Sequence, residues 1–97
     1  MAEALILEFK GTQAEYQGVN DALGLNMTTG EGEWPDGLVS HVGTISGDSL
    51  IVFEVWASRA DQETFMSSRL GPALGQVGVA DPHRVEWLQV VGQYPAG

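Results

Sequence analysis

Residues 50–74, LIVFEVWASRADQETFMSSRLGPAL, read as a strand, a helix cap, an amphipathic helix and a break at Gly71-Pro72. In the strand Leu50–Trp56, Ile51, Phe53 and Val55 point one way, and Leu50, Val52 and Trp56 point the other. Glu54 is the only polar interruption. A strand apolar on both faces needs cover on both faces. Ser58 is placed to cap the helix that follows, and Asp61 in its first turn suits the helix dipole. Phe65, Met66, Leu70, Ala73, Leu74 and Val77 recur at helical spacing. Pro72 has no amide hydrogen to donate, so the helix is expected to kink or restart there.

Upstream of this stretch, Gly37–Ile45 is a strand joined to Leu50–Trp56 through the turn Ser46-Gly47-Asp48-Ser49, a β-hairpin. Ala4–Phe9 is a first strand. Thr12-Gln13-Ala14-Glu15 has capping-box spacing and opens a first helix, with Tyr16, Val19 and Leu23 on one stripe and Gly24 as its C-cap. Leu25–Asp36 has no periodic pattern but holds Met27 and Trp34, so it is expected to fold back over apolar surface, as a simple hydrophobic cover or as a gating lid. Downstream, Arg84–Val91 is the last strand.

The order is β-α-β-β-α-β. Right-handed crossovers put both helices on one face of a four-stranded antiparallel sheet, the α+β ferredoxin-like plan, with residues 1–97 as a single domain. The second sheet face would then be apolar and bare, and a homodimer pairing sheet against sheet would cover it.

Composition excludes several classes of function. The chain has no cysteine, which removes disulfides, thiolate metal sites and cysteine nucleophiles. Four Lys and Arg against 13 acids give a net charge of −9, which repels nucleic acid and anionic membranes. No apolar run reaches the ~20 residues a membrane helix needs, and the acidic start is unlike a signal peptide. A cytoplasmic protein is expected. The two histidines are far apart in sequence, so no metal site is expected. Neither a phosphate-binding loop, a dinucleotide fingerprint nor a serine-hydrolase elbow is present.

His41 is the candidate catalytic residue, a general base within a strand, with a hydrogen-bonded structural role as the alternative. His83, after Pro82, is expected at the surface. Glu8, Glu54 and Glu86 fall within strands, and adjacency of the first and third strands can bring Glu8 to Glu54, or either can meet Arg69 or Arg84. The candidate ligand-binding residues are Tyr16, Trp34, Trp56, Phe65, Met66 and Trp87. Gathered round one pocket, such side chains would suit a flat aromatic or apolar molecule.

Val52-Phe53-Glu54-Val55-Trp56, followed by Ser58, Asp61 and Phe65 in this element order, resembles the dimeric α/β-barrel superfamily and its antibiotic-biosynthesis-monooxygenase-like proteins. Arg69-Leu70-Gly71-Pro72-Ala73-Leu74 is similar to an uncharacterised subgroup of these. The resemblance implies a barrel of two facing sheets, with a ligand cavity in each monomer between sheet and helices. Trp56 carries over to the family tryptophan. Chemistries in the superfamily include cofactor-free oxygenation of polyphenols, haem degradation and lactone isomerisation. The resemblance thus allows an oxidoreductase without metal or cofactor. Phe65 and Met66 stand where haem-degrading members carry their iron-ligating histidine, which argues against haem. The alternative function is a non-catalytic dimeric interaction module with a filled interior.

Overall fold

The computed structural model describes residues 2–95. Its strands are β1 (Glu3–Lys10), β2 (Leu38–Ser46), β3 (Ser49–Trp56) and β4 (Arg84–Gln89), and the sheet order is β2-β3-β1-β4, antiparallel throughout. The apolar strands β1 and β3 occupy the centre, where both edges are paired, and the more polar β2 and β4 form the edges of the sheet. Helix α1 (Gln13–Leu23) starts at the expected capping box, with Thr12 Oγ1 accepting from the Glu15 amide and the Glu15 carboxylate from the Thr12 amide. It ends at Gly24 in the left-handed conformation, φ 74°.

After Ser58, whose hydroxyl accepts from the Asp61 amide, α2 (Arg59–Phe65) and α3 (Gly71–Val77) are joined by one π-helical segment, Met66–Leu70. The expected break at Pro72 is therefore a widened turn within continuous helix. The Gly71 amide reaches back five residues to the Met66 carbonyl, and Pro72, which has no amide hydrogen, follows in the first turn of α3. A Cβ on Gly71 would lie 2.9 Å from that carbonyl oxygen, so this turn needs glycine.

The core lies between the helices and one sheet face. Leu5, Leu7 and Phe9 from β1 meet Leu50, Val52 and Trp56 from β3, under Val19, Leu23, Phe65, Leu70 and Leu74. Trp56 is fully buried. Leu25, Met27 and Trp34 from the 25–37 loop pack onto this core, and a Leu25–Gly32 bridge closes the loop on itself. The opposite sheet face is open. Val42, Phe53 and Leu88 stand on it at 55%, 45% and 40% exposure. No helix among the described residues is long and apolar enough to cross a membrane.

Candidate functional site

The covered sheet face carries one chain of polar side chains across β2, β3 and α1. His41 stands opposite Glu54 in the β2–β3 ladder. A bulge between Leu38 and Ser40 adds one residue to β2, so Leu38 and His41 share the covered face although they are three residues apart. His41 Nδ1 is 2.7 Å from Glu54 Oε2, and the Trp56 indole donates to Glu54 Oε1 at 3.0 Å. Each Glu54 oxygen thus has a partner, as a carboxylate only 6% exposed requires.

On its other side, His41 Nε2 lies 2.7 Å from the Tyr16 hydroxyl, and the two rings are nearly parallel, 9° apart. A carboxylate at Nδ1 selects the tautomer with the hydrogen there, so Nε2 accepts from Tyr16. Tyr16 reaches the sheet because Gly43, two residues beyond His41, has no side chain, and a Cβ there would collide with the phenol. Burial, with Glu54 nearby adding to it, raises the Tyr16 pKa above its ordinary value near 10.0. The Asn20 amide, one helical turn on, opposes that shift.

The Tyr16 end of this chain borders a cavity of ≈ 60 Å³ between sheet and helices. At ~10–15 Å³ per water, that is room for about four to six waters. Its walls include Leu7, Phe9, Leu23, Val52 and Leu74, and Met27, Trp34 and Pro35 of the 25–37 loop close it on one side. Of the residues expected to form a pocket, Tyr16, Trp34, Phe65 and His41 border this cavity. Trp56, Met66 and Trp87 do not. Trp56 lies beneath, attached through Glu54, and its ring packs against Phe65 at 5.8 Å. Trp87 sits on the edge strand β4 under the Arg59 guanidinium.

Glu8 and Glu54 do not pair. Glu8 stands opposite Ile51 and so shares the open face with Ile51, while Glu54 lies on the covered face. Glu8 is instead near His83 (3.4 Å) and Arg84 (3.8 Å), and Glu86 takes Arg84 at 2.7 Å. Arg69 donates to the Leu23 carbonyl at the end of α1. Asn20, bordering the cavity at 3% exposure, is a site residue that sequence reasoning passed over. Its signal was there to read, a polar residue on the Tyr16-Val19-Leu23 stripe of α1.

A four-stranded sheet with helices on one face and a cavity between them is the fold of the antibiotic-biosynthesis-monooxygenase-like proteins. Solved structures carry that conclusion. A candidate antibiotic biosynthesis monooxygenase from Chloroflexus aurantiacus J-10-fl superposes with a TM-score of 0.67 at 17% identity, covering 100% of both chains. Rv0793 from Mycobacterium tuberculosis gives 0.65 at 24% identity, over 97% of this chain and 99% of that one. SnoaB from Streptomyces nogalater, a cofactor-independent oxygenase, gives 0.66 at 14%, over 98% of each. No protein-family model and no curated protein matches the chain.

Proposed function

We propose that this chain, as a homodimeric α/β barrel, binds a small apolar or aromatic molecule between sheet and helices and removes a proton from it, with His41 as the base. The Tyr16–His41–Glu54–Trp56 chain, half-buried at Tyr16 and His41 and buried at Glu54 and Trp56, borders an apolar cavity and carries this reading. A substrate proton passes to the Tyr16 oxygen as the Tyr16 proton passes to His41 Nε2. The products are a substrate anion and an imidazolium paired with Glu54. Glu54 stabilises that imidazolium, and the Trp56 indole holds the carboxylate in place.

The cofactor-independent oxygenase among the structural neighbours supports an oxygenation as the overall reaction. A substrate anion of this kind can give an electron to dioxygen, which is reduced as the substrate is oxidised. A second reading, a non-catalytic dimeric module with a filled interior, draws on the small size of the cavity, ≈ 60 Å³.

Glu54→Gln separates the two readings. To accept from the Trp56 indole, the amide must turn its NH2 toward His41 Nδ1. The imidazole hydrogen then moves to Nε2 and no lone pair faces Tyr16. Dioxygen consumption with a panel of small monohydric phenols is expected in the wild type and lost in Glu54→Gln, with nitrogen NMR reporting the changed tautomer. Consumption that survives the tautomer change rules out His41 as the base. If the wild type consumes no dioxygen and native mass spectrometry finds no retained small molecule, the filled-module reading stands.

A further inference from the structure

We infer that Asn20 recognises a ligand oxygen, and that the cavity takes a small apolar molecule bearing a single hydroxyl, held between the Asn20 amide and the Tyr16 oxygen. The inference rests on the proposed ligand-binding role of the cavity. Its basis is an accounting of hydrogen-bonding groups at the polar end.

Both His41 nitrogens are engaged, Nδ1 with Glu54 and Nε2 with Tyr16. Both Glu54 oxygens are engaged, with His41 and Trp56. The Tyr16 hydrogen goes to His41, which leaves the Tyr16 oxygen able to accept. Asn20 Nδ2 is a buried donor with no hydrogen-bond partner among the described residues, on a residue that is 3% exposed and borders the cavity. It lies close enough to the Tyr16 oxygen to act on it as a hydrogen-bond donor and lower that group's pKa, but no bond within 3.5 Å forms between them.

A buried amide donor left unpaired is costly and rare in native proteins. What remains at this end is thus one donor and one acceptor side by side, on residues one helical turn apart on α1. A hydroxyl accepts from Asn20 and donates to Tyr16, and satisfies both. A ketone satisfies Asn20 alone, and a hydrocarbon satisfies neither. The neighbouring Glu54 and the net charge of −9 disfavour a carboxylate in that place. The apolar walls demand that the rest of the molecule be hydrocarbon.

Cyclopentanol, cyclopentanone and cyclopentane share one shape and test this directly. Titrated into isotope-labelled protein, cyclopentanol is expected to shift the Asn20 side-chain amide resonance and to bind about tenfold more tightly than cyclopentane, with cyclopentanone between them. Asn20→Leu should remove the advantage of both oxygenated compounds while cyclopentane still binds, which also shows that the cavity survives the substitution. Tyr16→Phe should bring cyclopentanol down to cyclopentanone. Equal binding of cyclopentane and cyclopentanol by the wild type overturns the inference, as does a preference that persists in Asn20→Leu or an Asn20 resonance that does not move. Failure of all three compounds to bind overturns the ligand-binding reading itself.

Discussion

Tyr16 is set apart from an ordinary surface tyrosine by its burial beside a carboxylate. Its phenol is neutral while protonated, and folding raises its pKa above 10.0, chiefly by desolvation. The folded chain therefore holds this proton more tightly than the unfolded chain does. The resulting contribution to stability is intact below pH 10.0 and is lost as the pH rises from there through the raised folded value. The melting temperature should fall with alkaline pH more steeply in the wild type than in Tyr16→Phe, and thermal scans of the two proteins across that range will measure the difference. A wild-type curve parallel to that of Tyr16→Phe would show that the phenol titrates alike in both states. The same raised value keeps the phenol protonated at neutral pH, as the proposed proton relay to His41 requires.

At the scale of elements, the site depends on how closely α1 lies against β2. The Tyr16 ring occupies the space above Gly43, and His41 sits two residues away on the same face. Gly43→Ala puts a methyl group where the phenol is. The β2 strand is an edge of the sheet and can yield, so the protein should fold, at a cost of about 1–3 kcal/mol from overpacking. Tyr16 should leave His41 in that variant. Urea denaturation gives the stability loss, and the disappearance of the through-space Tyr16–His41 signal in NMR reports the separation. The 25–37 loop is the other element that matters. Asn26 Oδ1 accepts from the Thr28 and Thr29 amides, and the Trp34 indole donates to the Gly30 carbonyl, so the loop holds its own shape and places Met27 and Trp34 over the cavity.

For the whole molecule, the asymmetry of the sheet is the dominant fact. One face is buried under helices, while the other presents Val42, Phe53 and Leu88 to solvent beside Ile6, Ile51 and Val55. Phe53 is on a central strand, opposite Ile6 on one side and Val42 on the other. A charge there is easily hydrated in a monomer and is costly inside a sheet-to-sheet interface. Light scattering should give twice the chain mass for the wild type and the single-chain mass for Phe53→Lys, with unchanged circular dichroism. A wild-type protein that runs as a monomer would remove the dimer and the barrel together.

The order of elements, the two helix caps and the apolar double face of β3 were legible in the sequence, because each rests on local chemistry or on spacing along a few residues. The same local logic singled out His41, Tyr16, Glu54 and Trp56 one by one, but not the hydrogen bonds that join them. Whether His41 faces the core depends on the bulge at Leu38–Ser40, an insertion into strand pairing that leaves the pattern of apolar residues almost unchanged. Pro72 read as a break because its missing amide is a local fact, whereas the π turn that absorbs it needs the whole helix packed on the sheet. Adjacency of the first and third strands in the ferredoxin-like sheet suggested a Glu8–Glu54 pair, and the alternation of faces along the paired strands separated them. The site itself joins residues 16, 20, 41, 54 and 56 from α1, β2 and β3, and no spacing along the chain encodes that meeting. Only tertiary structure brings them together, because hydrogen-bond partners are set by distance in space and the fold alone determines which distances are short.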